Sequence, residues 1–313
     1  ISFIFSGYFT RYYNETYLNI DALIPLWLLS AELLIEKRST GSLLIFTLAV
    51  FCILLGGNPE AAFHSLGFIT LYCAYRLLVY RRSKRREAPN GAYLLVGAIL
   101  VGFILAAIQM APFIEALANS HIYRLGKVGF CHYKLKHLVS LAYPWFYGDF
   151  PRYLSLKEMP SIEAMALLGF SSSYEASLIN WLPPYLGLLP LCLASLSVFS
   201  LKRVPSCALF FAIYSMVFLG AVFGLPVLRF IFVLPPFPTL ANYKHLFPAI
   251  TFCVAGLAAF GFDSARKGII QRRIIWLVFA GWLALAILAI SLPGGDINFE
   301  QNCTIFGVII TIV

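Results

Sequence analysis

Residues 42–79 read SLLIFTLAVFCILLGGNPEAAFHSLGFITLYCAYRLLV, which is two apolar runs joined by a polar corner. The first run ends at Leu55 and the second begins at Ala61, so only a few residues separate them. Apolar runs that approach about 20 residues are long enough to cross the core of a bilayer. The stretch therefore predicts two membrane helices with a tight corner between them.

The composition extends this prediction to the whole chain of 313 residues. It is 60% hydrophobic and 12% charged with a mean hydropathy of +0.83, whereas soluble domains carry about 25% charged residues. We predict an all-α, polytopic transmembrane helical bundle that forms a single transmembrane domain over 1–313. Because the chain begins at Ile1 and ends at Val313 inside apolar runs, we expect it to be a piece of a longer protein.

The apolar runs predict about eight complete spans and two partial ones. The complete spans are expected at 18–35, 42–55, 61–79, 92–114, 182–200, 206–223, 245–262 and 274–292. Pro25 is expected to kink the first of them. The polar segment 115–180 is predicted to be a long external loop containing interfacial helices. One of these helices is expected at Tyr133–Ala142, where apolar residues recur at helical spacing.

Lysines and arginines are concentrated in alternate loops. These loops lie at Lys37, Arg81–Arg86, Lys202 and Arg266–Arg273, and with Arg76 they hold 14 of the 23 basic residues. The positive-inside rule predicts that they are cytoplasmic in a multi-pass protein of the cell membrane. The corner at Asn58 and the 115–180 loop would then face outwards. The net charge of +9 thus comes largely from the basic loops that set the orientation in the membrane. No nucleic-acid partner is predicted.

The corner itself allows two interpretations. Asn58, Pro59 and Glu60 suit a helix start, because Asn is a good N-cap, Pro is favoured next and a carboxylate complements the helix dipole. His64 lies four residues after Glu60, on the same helix face. That pair is a candidate for binding a cation or a phosphate-linked substrate, because ionisable groups at membrane depth are often functional.

Further candidate substrate-binding residues lie on the predicted external side. Basic groups near apolar surface suit a lipid phosphate, although a solvated loop is the other interpretation. These candidates are Arg124, Arg152, Lys244 and His245, with Asp149 as a carboxylate. Asp21 is expected in the headgroup layer. The chain has no CxxC, HExxH or P-loop motif, so we predict no cofactor and no metal, and a divalent cation has no support.

Several stretches together resemble a known family. They are Leu23–Leu29, Gly57-Asn58-Pro59-Glu60, Gln109-Met110-Ala111-Pro112, Tyr143-Pro144-Trp145-Phe146-Tyr147-Gly148, Pro184–Pro190 and Ala255–Gly261. In this order they resemble the YfhO-like bacterial membrane proteins of the GT-C glycosyltransferase superfamily.

This resemblance implies transfer of a sugar from a polyprenyl-phosphate donor to an extracytoplasmic cell-envelope glycan or lipid. It implies membrane lipid as a partner, and it places the catalytic acid before Ile1, so no catalytic residue is assigned within the chain. A transporter or flippase of a lipid-linked precursor and a non-catalytic membrane scaffold remain as alternatives. A transporter is expected to show ionisable groups near mid-membrane and paired broken helices.

Overall fold

The protein was studied as a computed structural model that describes residues 3–4, 6–11, 15–83, 88–119, 133, 138–142, 184–201, 203–234, 237 and 242–291. Within these ranges every regular element is a helix, and none is a strand. The predicted all-α class is therefore confirmed for the described part of the chain.

The helices are, in chain order, α1 (Gly7–Arg11), α2 (Leu18–Asp21), α3 (Ile24–Lys37), α4 (Thr40–Leu55), α5 (Pro59–Ser83), α6 (Ala88–Leu105), α7 (Ala107–Asn119), α8 (Val139–Ala142), α9 (Leu188–Val198), α10 (Ser206–Val222), a 3-10 helix (Arg229–Val233), α11 (Asn242–Arg266) and α12 (Arg272–Ser291). Short connections join the helices from α1 to α7, whereas α8 and α9 are separated from their predecessors by longer stretches of sequence.

The chain divides into two compact units. One unit draws on Ile1–Arg11, Tyr133–Val204 and Val254–Val313, and the other on Tyr12–His132 and Pro205–Cys253. The expectation of a single transmembrane domain over 1–313 stays a prediction.

The second unit is built on α3, α4, α5 and α6, which pack against one another, while α10 packs against α5. Trp27, Phe46 and Phe68 are fully buried in this unit. Aromatic rings form the contact between α5 and α10, where Phe210 lies 5.2 Å from Tyr72 and 5.9 Å from Phe68, centroid to centroid. This packing holds α5 in place along its length.

The first unit is held by polar contacts between apolar helices. Helix α9 packs against α12, where the indole nitrogen of Trp282 donates a hydrogen bond of 3.1 Å to the Ser195 hydroxyl. The hydroxyls of Ser200 and Ser264 lie 3.0 Å apart. At Gly261 a Cβ atom would overlap the carbonyl oxygen of Leu193, so only glycine permits this approach of two backbones.

Three helical stretches are long and apolar enough to cross a membrane, namely Leu18–Lys37, Pro59–Tyr80 and Lys244–Arg266. A fourth is reached if Gly91–Leu105 and Ala107–Ala116, which are bent by 70°, form one span. These helices indicate a multi-pass membrane protein.

The described residues thus show far fewer than the eight complete spans expected. For two of the expected spans the physical reason is helix length. Helix α4 has 16 residues and α9 has 11, which correspond to about 24 Å and 17 Å against a hydrocarbon core of about 30 Å.

Two expected spans also differ in their course. Within the first, Leu18–Lys37, the regular α-helix is broken between α2 and α3, just before Pro25, which lies at the start of α3. Proline suits that position because its missing N–H has no partner there in any helix. The 92–114 span breaks at Ala106, before Pro112.

The predicted interfacial helix at Tyr133–Ala142 is described only at residue 133 and at 138–142, where α8 forms from Val139 to Ala142. Its remaining residues lie outside the described ranges.

Candidate functional site

The polar corner is a capped helix start. Gly57 adopts a left-handed backbone with φ of 84°, which glycine tolerates without a steric cost. The Asn58 side-chain oxygen then accepts a hydrogen bond of 2.9 Å from the backbone N–H of Ala61. The capping interpretation of Asn58 is confirmed, and the turn places Glu60 in the first turn of α5.

A distant histidine meets this carboxylate. His245 lies in the first turn of α11, and its Nε2 atom is 3.4 Å from Oε2 of Glu60. The His245 side chain is completely buried, whereas that of Glu60 is 35% exposed. The carboxylate is therefore the member of the pair that a ligand can reach.

His64 joins the same cluster one helical turn after Glu60. Its ring stacks on that of His245, with 6.2 Å between centroids and 20° between planes. His64 is buried, as its position on the inward face of α5 requires. The sequence therefore placed Glu60 and His64 correctly on one element but did not predict that His245 would contact both.

Tyr17 and Lys244 border the pair. The Tyr17 ring meets His245 edge to face at 5.1 Å, a favoured aromatic geometry. The ammonium nitrogen of Lys244 lies 5.1 Å from the centre of the same ring, within reach of a cation–π interaction. The positive charge of Lys244 also interacts with the negative charge of Glu60. The cluster thus contains both signs of charge and an aromatic wall.

Phenylalanines close the apolar side of the cluster. Phe237 packs at 5.6 Å from Phe63 and 6.1 Å from His64, and Phe232 packs at 5.7 Å from Phe237. Phe63 and Phe237 thus give His64 an apolar environment, which strengthens electrostatic interactions around it.

Asp21 is fully buried by protein, and the expectation that it lies at the depth of the headgroup layer stays a prediction. The reason for the burial is that α2 packs against α5, and Ile20 fills the space beside Gly56 at the start of the corner. Asp21 is therefore covered by neighbouring residues of the protein.

Of the remaining candidates, Arg124, Asp149 and Arg152 lie outside the described residues. No group of three potential metal ligands occurs among the residues that the structure describes.

A second polar cluster was missed at the sequence level. The Arg76 guanidinium forms two hydrogen bonds to the Glu32 carboxylate, of 2.5 and 2.6 Å, and the Tyr72 hydroxyl donates a third. Arg76 also donates to the Ser206 hydroxyl at 3.3 Å, which ties α3, α5 and α10 together. A carboxylate inside the apolar 18–35 span was the available signal.

Comparison of the chain with protein-family models, with curated proteins and with solved structures yields no match in any of the three.

Proposed function

We propose that the protein is a GT-C-type membrane glycosyltransferase that moves a sugar from a polyprenyl-phosphate donor to an extracytoplasmic cell-envelope acceptor. The observation that carries this proposal is the meeting of two helix starts. Helices α5 and α11 bring their first turns together at the 3.4 Å contact between Glu60 and His245. Helix starts carry unpaired backbone N–H groups and partial positive charge, which favour an anionic ligand.

The side chains around this point suit the head of a lipid-linked sugar. Lys244 supplies a cation for a phosphate, and charge-assisted hydrogen bonds of this kind are the stronger ones. Glu60 is partly exposed and can accept hydrogen bonds from sugar hydroxyls. His245 is buried behind it and contacts the carboxylate. In this proposal these residues bind substrate, and Arg124, Asp149 and Arg152 extend the site.

The proposal places the cluster outside the cytoplasm. The basic loops at Lys37, Arg81–Arg86, Lys202 and Arg266–Arg273 would lie inside, and the opposite ends of α5 and α11 would then face outwards. In this arrangement the shorter apolar helices complete the bundle, giving eight complete spans and two partial ones. The lipid tail of the donor would remain in the bilayer while its phosphate reaches the cluster.

Sugar transfer by the full-length protein tests the proposal. The protein is reconstituted in liposomes and supplied with a polyprenyl-phosphate sugar and an envelope acceptor, and the radiolabelled product is measured. We expect transfer that depends on the donor lipid. Movement of the lipid-linked sugar across the bilayer without transfer would reject the enzyme.

A transporter or flippase is the second candidate, and two observations favour it. The ion pair between Glu32 and Arg76 lies inside two candidate spans, towards the ends that lead to the predicted cytoplasmic loops, and α6 and α7 form a helix pair bent by 70°. Ionisable groups and broken helices at membrane depth are features of transporters. A flux assay in the same liposomes distinguishes the transporter from the enzyme. Absence of both sugar transfer and flux would favour a non-catalytic membrane scaffold.

A further inference from the structure

Residues 225–234 follow α10 and include the 3-10 helix. They are unusually apolar for a connection. The sequence of this segment is LPVLRFIFVL, in which Arg229 is the single ionisable residue. Val227 is 79% exposed and Val233 is 73% exposed, and Leu225, Phe230 and Leu234 are exposed as well. Connections that face water are normally polar, so this exposure needs a partner that is apolar.

The backbone of the segment is suited to an apolar environment. The N–H of Leu225 bonds to the Gly220 carbonyl at 2.9 Å, that of Leu228 to Leu225 at 2.9 Å, and that of Ile231 to Leu228 at 3.2 Å. Pro226 has no N–H to satisfy. Backbone polar groups in hydrocarbon must find partners within the protein, and these three N–H groups meet this condition.

The segment also folds back onto the end of α10. Gly220 has no side chain, and the Leu225 and Leu228 methyl groups occupy the space where its Cβ would lie. The exposed apolar face of α10, at Leu209, Ile213 and Met216, therefore leads directly towards the exposed residues of the segment. This continuity extends the apolar surface of the helix beyond its last turn.

The length of α10 explains why its membrane crossing would need residues beyond its last turn. Helix α10 has 17 residues and is therefore about 26 Å long, which falls short of a hydrocarbon core of about 30 Å. We propose that residues 225–234 are immersed in the hydrocarbon of the bilayer and complete the membrane crossing of α10. The acyl chains of membrane lipids are the occupant of this surface. Arg229, the fifth of the ten residues of the segment, is the one charge that immersion has to accommodate.

The segment is anchored to the Glu60–His245 cluster. Phe232 is its buried member, and it packs on Phe237, which in turn packs on Phe63 and His64. Immersion of the segment therefore places this cluster next to the apolar boundary of the membrane. Contact of the segment with lipid does not depend on glycosyl transfer.

Photolabelling of the unmodified protein in liposomes tests the inference. An apolar carbene precursor that partitions into the bilayer is photolysed, and the labelled peptides are identified by mass spectrometry. The peptide containing 225–234 should be labelled as strongly as the peptide containing 209–216. The charged helix end at 263–267 is the control and should be labelled several-fold less.

Labelling of 225–234 at the level of the 263–267 control would overturn the inference. The segment would then be covered by water, by a partner protein or by a second copy of the chain. A second measurement uses Val227→Cys and Val233→Cys in a variant without native cysteines. A fluorophore attached there should be quenched by spin-labelled lipid and not by aqueous iodide. Quenching by iodide at both positions would equally overturn it.

Discussion

At the scale of single side chains, the contact between Glu60 and His245 is asymmetric. The imidazole is buried and its ring is held between His64 and Tyr17, whereas the carboxylate reaches the surface. Asn58 already caps the helix through Ala61, so Glu60 is not needed for that purpose. The carboxylate is therefore the exposed member of the pair.

Replacing Glu60 by Gln tests its proposed role in binding substrate. Gln keeps the shape of the side chain but removes its charge, so we expect the thermal midpoint to change little and donor binding or transfer to fall about tenfold or more. Sugar transfer and thermal unfolding are measured on the full-length protein. Glu36→Gln, at an exposed carboxylate, is the matched control. Normal activity in a normally folded Glu60→Gln protein would reduce Glu60 to a helix-start residue.

The ion pair of Glu32 and Arg76 predicts strong coupling between the two positions. Arg76→Met leaves the carboxylate without its main partner among apolar helices, which should cost about 3 kcal/mol of unfolding free energy. Adding Glu32→Leu should recover much of this loss, because no charge is then left alone. Thermal unfolding in nanodiscs measures all members of the cycle.

The exposed pair of Lys267 and Asp263, with 2.6 Å between its atoms, provides the control for that cycle. Lys267→Met should change the midpoint little, because water screens an exposed pair. Additive losses of unfolding free energy for the Glu32 and Arg76 substitutions would contradict the predicted coupling between the two positions.

At the scale of helices, local sequence predicted where apolar elements lie but not how they meet. The 61–79 and 245–262 predictions fall inside α5 and α11, because apolar composition and capping are local signals. The break at Ala106 could not be predicted, since alanine favours helix and only packing can bend the chain there. The meeting of Glu60 with His245 joins residues far apart in sequence, which no local pattern encodes.

Helix packing at Gly261 predicts a large effect from a small change. Gly261→Ala adds a methyl group where the Leu193 carbonyl lies, so the helices must separate at a cost of about 1–3 kcal/mol. Unfolding can be followed with a thiol-reactive dye, because Cys192 and Cys253 are buried and become accessible.

Gly281→Ala is the matched control for that substitution. A Cβ at Gly281 meets nothing within 4 Å, so alanine should be neutral or stabilise α12 by up to about 1 kcal/mol. Equal midpoints for the two variants would show that α9 and α11 do not pack closely at Gly261.

At the scale of the whole molecule, the distribution of basic residues predicts one orientation in the membrane. Lys84→Cys and Asp296→Cys are placed in a variant without native cysteines, and intact cells are treated with an impermeant thiol reagent. Position 296 should react and position 84 should not, because basic loops remain in the cytoplasm. The reverse pattern would invert the molecule and move the Glu60–His245 cluster inside.

Helix α5 carries both polar clusters, with Glu60 in its first turn and Arg76 sixteen residues later. The two side chains are thus about 24 Å apart along one stiff rod. The Arg76 end is bound to Glu32 and Ser206, and the Glu60 end contacts His245 of α11. A single rigid helix therefore joins the candidate site at one end to the ion pair at the other, and a shift of either end would be transmitted to both clusters.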